Sequence, residues 1–472
     1  MNLSVSGQAR EERFAAYVDG LAEGLGHADR IAPMQAYCTG LLLPGERKSI
    51  EPMAARLDPD RVQAAHQSLH HLIAHAEWSD QAVLALVREQ VLPILERHGA
   101  IRAWIIDDTS FPKKGTHSVG VARQYCGQLG KQDSCQVAVS LSLANAHASL
   151  PIAYQLYLPK EWALDPERRI KAGVPDPIRF RSKPTIALAQ IRAALLAGVS
   201  PAVVLADAAY GSATAFRTAL TKMGLTYIVG ISSSTSLWAP GTGPLPPHPW
   251  NGRGRPPTLL RRDPQHKPVS ALKLTKALPD RAWHVVTWRE GSKAPLTSHF
   301  AAVRVRPAHR DYWRAAVRPE EWCLIEWPVG EKHPTKYWLS TLPEEITLPE
   351  LVDLAKLRWR IERDYQELKQ EIGLGHYEGR GWRGFHHHAT LCIAAYGFLV
   401  SERSRFPPPQ NASALSSAER LNDPKGTNFV AVPVRPERHV AHSIATIRVE
   451  LVCALVRKLP RCPCCHTRFM TQ

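Results

Sequence analysis

The chain has 472 residues, 44% of them hydrophobic, enough for roughly three domains and at least one sizeable core; a disordered tail or a disulfide-stapled miniprotein is excluded. Its 59 Lys and Arg against 43 Asp and Glu give a formal charge of +16, which favours a polyanionic partner because each neutralised phosphate releases condensed counterions. The nine cysteines are odd in number and mostly sit in apolar segments, as do Cys38, Cys323, Cys392 and Cys453, so they read as reduced. The opening MNLSVSGQAREERF lacks the apolar run of a signal peptide and no stretch of eighteen apolar residues occurs. A soluble, cytoplasmic protein with no membrane association is expected.

Residues 1–98 carry helical periodicity, as in Phe14, Val18, Leu21 and Leu25, and read as a helical domain. From Ile101 the texture changes to short β-branched runs, WIID, CQVAVSLSLA, PIAYQLYL, AVVLAD and YIVGI, with helices expected over 185–196 and 213–223. Residues 99–235 thus read as the first part of an α/β core. Nine prolines between Pro240 and Pro268, with NGRGR and LLRR, mark a basic irregular loop, and WHVVTW, FAAVRVR, EWCLIEWPV and YWLSTL then have strand composition. Together, 236–343 read as a loop and β-rich insertion. In 344–404, the second part of the core, Thr347 and Glu350 form a T-x-x-E capping box that predicts a long helix to about Ile372. A helix over 389–402 follows. Residues 405–472 read as a Pro- and Ser-rich linker and a last helix over 443–458.

Three segments carry chemistry. IIDDTSFPKKG ends one apolar strand at Asp107 and Asp108, and AVVLADAAYG ends another at Asp207. A carboxylate whose backbone is held by a sheet is well placed to hold a hard divalent cation, although either Asp alone can be a turn former. In LRWRIERDYQELKQEIGL, at about 100° per residue, Arg358, Glu362, Tyr365 and Lys369 share one face of the expected helix beside an apolar stripe. An ordinary solvated helix with charge pairs has the same look. Two strand-end acids and a helical Glu suit two-metal phosphodiester chemistry, with Arg358 and Lys369 as phosphate contacts. Lys113 and Lys114, just after the first acid, are further candidate contacts.

The order Asp, Asp, Glu, in an α/β core interrupted by a β-rich segment, resembles the DDE transposases of bacterial insertion sequences, the DDE superfamily endonucleases. The branch with the Y-R-E-K signature matches best, since Arg358, Glu362 and Lys369 keep its spacing. At the tyrosine position stands Ala355, so that function is absent or supplied elsewhere, Tyr365 being the nearest candidate. RKSIEPMAA, SVGVARQYCGQLG, LYLPKEW and GLGHYEGRGWRGFHHH extend the resemblance over most of residues 47–399. It implies an RNase H-like catalytic core, two Mg²⁺ or Mn²⁺ ions on Asp107, Asp207 and Glu362, double-stranded DNA as partner, and a homodimer on DNA. The resemblance prefers Asp107 over Asp108 because the family's aspartate stands two residues before a Thr or Ser, here Thr109. A metal-dependent nuclease without strand transfer and an inactive transposase-derived DNA-binding protein are the alternatives.

Other features have plainer readings. His386, His387 and His388 are consecutive, so they point in different directions, and surface exposure or phosphate contacts outweigh a metal role. Cys462, Cys464, Cys465 and His466 supply half of a zinc site whose second ligand pair is not visible. Trp288, Trp322, Trp327 and Trp338 fit sheet packing better than stacking on a flipped base.

Overall fold

A computed structural model describes residues 2–290, 295–406 and 442–466. The expected linker over 406–438 therefore lies, apart from Phe406, outside the described residues. In chain order come helices α1 (Asn2–Ala22), α2 (Ile31–Leu42), α3 (Ile50–Leu57), α4 (Val62–His70) and α5 (Asp80–Glu96). Strands β1 (Ala103–Pro112), β2 (Ala122–Cys126), β3 (Lys131–Ala144) and β4 (Ser149–Leu156) follow, then α6 (Lys160–Ala163), α7 (Pro166–Lys171) and α8 (Lys183–Leu196). Next are β5 (Val203–Ala206), α9 (Ala208–Gly211), α10 (Thr214–Lys222), β6 (Tyr227–Gly230), β7 (Ser236–Trp238), β8 (Val269–Ser270) and α11 (Ala271–Lys276). The expected strand segments after the Pro-rich loop form β9 (His284–Glu290), β10 (Pro295–Pro307), β11 (Glu321–Pro328) and β12 (Lys336–Ser340). The last elements are α12 (Leu348–Lys356), α13 (Trp359–Glu367), α14 (Trp382–Arg405) and α15 (Ile444–Leu455). The chain is thus a mixed α/β protein with parallel and antiparallel strand pairs. No helix among the described residues is long and apolar enough to cross a membrane.

The chain divides into two compact units, one of 1–100, 108–181 and 360–472, the other of 101–107 and 182–359. In the first, α14 is apolar on nearly all sides and is buried along most of its length, packed against α2, α5, α15 and β4. Burial of this kind, not a stripe, is what an all-round apolar helix requires. Where α14 does carry charge, the charge is answered: buried Glu402 accepts from Arg13 Nε at 2.8 Å and from Arg10 Nε at 3.2 Å, both on α1. Beside it β3 pairs antiparallel with β2 through its first residues and with β4 through its last.

The three consecutive histidines lie inside this core, which corrects the expected surface position. His386 accepts from the Leu156 backbone N–H at Nε2, and His388 sits between the Tyr37 hydroxyl (2.8 Å) and the Gly373 carbonyl (3.2 Å). His387 stacks on Trp78 at 3.6 Å. Burial pushes His387 and His388 down to about 4, so they are neutral hydrogen-bonding core groups. Neutral His387 can donate to only one of the two carbonyls it faces, those of Ile73 and Trp78.

In the second unit β1, β5 and β6 are parallel, and β12, β11 and β10 continue antiparallel from β6, with β9 and β7 both on β10. Helix α12 covers part of this sheet, packing on β6, β9 and β10. Its start is the expected capping box, with the Thr347 hydroxyl accepting from Glu350 N–H and the Glu350 carboxylate accepting from Thr347 N–H. Lys356, at its end, binds buried Glu326 at 2.5 Å with the Trp288 ring 4.4 Å from its ammonium. That contact gives Trp288 a packing role. Trp322 and Trp327 donate to the carbonyls of Pro343 and Glu331.

Candidate active site

The parallel pairing of β1 with β5 sets Ala103 opposite Val203, Trp104 opposite Val204 and Ile105 opposite Leu205. Carried on by two residues, the same register would set Asp107, inside β1, level with Asp207, the first residue after β5. Side chains level in a parallel pair share a face, and Asp108 points to the other. Both segments are apolar up to the acid, which is why their backbones are buried and fixed there. Asp207 caps the short α9, its Oδ1 accepting from Ala209 N–H at 2.9 Å and Tyr210 N–H at 3.4 Å. Its Oδ2 accepts no hydrogen bond among the described residues. Asp107 Oδ2 is paired with Arg358 at 2.5 Å, both side chains largely shielded from solvent.

The turn after Asp207 leaves no room for side chains. A Cβ on Gly211 would collide with the Gly230 carbonyl oxygen and lie 2.7 Å from Val229 Cβ, while one on Gly230 would come within 2.7 Å of Ala208 N. Two glycines let α9 lie directly on the end of β6, which fixes the helix that Asp207 caps.

The long helix expected from Thr347 to Ile372 is interrupted. Helix α12 ends at Lys356, α13 begins at Trp359, and 368–372 widen into a π turn. Arg358 consequently lies in the turn between the two helices, one residue before α13 begins. No Gly or Pro marks the break; it coincides with tertiary anchors, Lys356 on Glu326, Arg358 on Asp107 and Arg289 stacked 3.7 Å above the Trp359 ring. π turns of this kind recur at functional sites.

Glu362 is exposed on α13. The Tyr365 hydroxyl bonds Ser140 Oγ at 2.7 Å, so Tyr365 is tied to β3. Lys369 donates to the Ser110 carbonyl at 2.8 Å over the Phe111 ring, and burial pushes it down to about 8. Lys113 donates to the Tyr377 carbonyl at 2.6 Å and is likewise lowered by burial. Lys114 is exposed.

Beneath α13 lies an acidic pair that the sequence reading did not single out. Asp364 accepts from Ser149 at 2.6 Å and Glu367 from Arg363 at 2.7 Å, and the Tyr396 hydroxyl, 2.9 Å from Asp364 and 2.8 Å from Glu367, has one proton to share between the two carboxyls. Asp364 Oδ2 is buried with no partner, and burial pushes the carboxyl up to about 6. The folded chain therefore holds a proton that the unfolded chain has released between about pH 4 and 6. The stability from this proton is fully present below that window and lost as pH rises through 6. Asp364→Asn keeps an oxygen for Ser149 and Tyr396, and should raise stability at pH 7.5 by on the order of 2 kcal/mol with little change at pH 4.5. Thermal melts at both pH values check this; a lower melting temperature for the variant at pH 7.5 would reject it. The signal in sequence was the i, i+3 placement of Asp364 and Glu367 on the apolar side of α13.

The segments RKSIEPMAA and GLGHYEGRGWRG meet in the first unit, where Lys48 N–H donates to His376 Nδ1 at 3.1 Å. They line a cavity of about 660 Å³ whose basic wall includes Lys48, Lys171, Arg380 and Arg383.

Residues 20–295 match the sequence family described as DDE superfamily endonuclease. The chain belongs to that family. The matched stretch contains Asp107 and Asp207 and ends before Glu362. The chain is also similar to a protein of Microchaete diplosiphon described as "Probable transposase for insertion sequence element IS701", 33% identical over 190 residues. That alignment takes in 40% of this chain and 46% of the relative, so the chain spans about half the length of the curated relative it matches.

Proposed function

We propose that this DDE superfamily endonuclease is the transposase of an insertion sequence, binding the terminal inverted repeats, cutting DNA at the ends of the element and joining the freed 3′-hydroxyls to target DNA. What supports this reading is the β1–β5 register, which carried on by two residues brings Asp107, inside β1, level with Asp207, just past the end of β5, together with the Arg358–Asp107 pair. Two carboxylates on one face offer the hard oxygen donors that Mg²⁺ or Mn²⁺ requires, and the remaining Asp207 oxygen fits that use. In this reading Asp107, Asp207 and Glu362 hold two divalent ions in an RNase H-like core of the Y-R-E-K branch; Asp107 is chosen over Asp108 because only it shares the face of Asp207. The ions, when bound, supply Lewis acidity and activate the attacking oxygen.

The protein's own groups position the substrate. Arg358 balances the charge of Asp107 before DNA arrives and presents a planar fork to an incoming phosphate. Lys369 and Lys113, anchored on backbone carbonyls, are point charges for neighbouring phosphates, with Lys114 beside them. The cavity's Lys171, Arg380 and Arg383 are a further phosphate-contacting surface, and such contacts set register without reading sequence. Two element ends must be joined, so a homodimer on DNA is part of the proposal.

The test is cleavage of labelled DNA carrying the flanking terminal repeats, with Mg²⁺ and a target plasmid, scoring binding in the same samples. Cutting at both ends followed by joined product supports transposition. Cutting without any requirement for paired ends points to a simple nuclease, and binding that never leads to cutting with either ion points to an inactive DNA-binding protein. The lysines supply a second check. Lys369, lowered to about 8 by burial, loses its charge as pH rises through that value, so DNA affinity should weaken between pH 7 and 9 by roughly threefold or more at fixed salt. Lys369→Arg stays charged and should hold its affinity over that range in anisotropy titrations; parallel curves for the two proteins would exclude Lys369 as a contact.

A further inference from the structure

After α15 the chain turns at Arg461–His466, with His466 N–H donating to the Cys462 carbonyl at 2.9 Å. The turn gathers Cys462, Cys464 and Cys465 so that their three sulfurs lie within 4.8 Å of one another. The backbone N–H groups of Cys464 and Cys465 also point at Cys462 Sγ. Three features of this arrangement are those of a thiolate metal site. Sulfurs bound tetrahedrally at about 2.3 Å from zinc stand roughly 3.8 Å apart, a spacing the cluster reaches by small side-chain rotations from the present 2.9 Å between Cys462 and Cys464. The N–H groups aimed at Cys462 stabilise a thiolate over a thiol. All three cysteines are solvent-accessible, unlike the buried Cys38, Cys126, Cys135, Cys323 and Cys392, which pack as apolar core residues.

We propose that Cys462, Cys464 and Cys465 form a zinc-binding turn that supplies three thiolate ligands and leaves the fourth position to solvent. It is independent of the carboxylate site: its ligands are soft sulfurs that favour Zn²⁺, where Asp107 and Asp207 offer hard oxygens that favour Mg²⁺ or Mn²⁺. Three of the four ligands that a tetrahedral zinc ion needs thus come from four consecutive residues. The ion's role is to lock the turn that ends the α15 segment.

The full-length protein, purified in a phosphine reductant, is titrated with Co²⁺ as the probe, and zinc content is measured by elemental analysis. One equivalent of Co²⁺ should give the intense visible bands of a tetrahedral ion and a thiolate charge-transfer band, neither of which an oxygen-ligated ion at a carboxylate site produces. The double variant Cys462→Ser/Cys465→Ser should lose both bands and weaken binding by about tenfold or more, whereas Cys453→Ser, at the exposed cysteine outside the cluster, should keep them. Equal circular dichroism in all three proteins shows that folding is unaffected. Absence of the charge-transfer band in the wild-type protein, or its persistence in the double variant, would overturn the proposal.

Discussion

Asp207→Asn is expected to reduce DNA cleavage by at least about a thousandfold while leaving DNA binding nearly intact, the scale at which loss of an ion-holding carboxylate removes several kcal/mol of transition-state stabilisation. Asparagine is the informative replacement because Asp207 has two jobs. Its Oδ1 caps α9 through Ala209 and Tyr210, and removing a cap costs about 1 kcal/mol of stability. Alanine would lose both cap and charge; asparagine retains a carbonyl oxygen for the cap and loses only the anionic donor. Glu362→Gln should give a comparable loss, since Glu362 is exposed on α13 and makes little demand on packing. Cleavage of labelled repeat DNA, with binding followed by anisotropy, measures both. If either variant cuts at more than about a tenth of the wild-type rate, that residue is not among the ion-holding acids.

Gly211→Ala should destabilise the protein by roughly 1–3 kcal/mol, the range for overpacking a filled site, and should also depress cleavage. The sign is not obvious from helix propensity, because alanine inside a helix normally gains up to about 1 kcal/mol over glycine. Here the added methyl meets the Gly230 carbonyl oxygen and Val229 Cβ, atoms of a central strand end that cannot swing aside as a side chain would. Helix α9 must lift off β6, and Asp207, which caps it, moves too. Gly381→Ala is the control, since a Cβ there finds its nearest neighbour at 3.5 Å, an ordinary contact, and its backbone is not left-handed. Denaturant unfolding of the two variants decides the matter: equal stabilities would show that the contact at Gly211 relaxes at no cost.

Much of the local structure was legible from sequence because its causes are local. The T-x-x-E box at Thr347 starts α12 as written, since the capping bonds are made within four residues. The α/β texture from Ile101 onward becomes the parallel strands β1, β5 and β6, because short apolar runs such as AWII, VVLA and YIVG need burial on both faces. The strand-like segments after the Pro-rich loop form β9 to β12 because their β-branched and aromatic residues suit a pleated surface, even where, as in β9, much of it is exposed. The acids at 107, 108 and 207 stand out as carboxylates directly following apolar runs.

What sequence could not supply depends on partners far along the chain. Periodicity alone runs α12 and α13 together into one helix, because nothing between Leu357 and Trp359 disfavours it; the break accompanies the contacts of Lys356 with Glu326 and Arg358 with Asp107, 30 and 251 residues away. The triple histidine reads as polar surface until α14 is enclosed by its neighbours, at which point burial keeps His387 and His388 neutral and hydrogen bonds satisfy them. The sequence by itself determined which residue types end each apolar run, where helices are capped and which ligand chemistries are on offer. Register, the helix break and the burial of Asp364 were decided by the tertiary structure, because each depends on which atoms displace water from a side chain, and one chain segment read alone does not specify them.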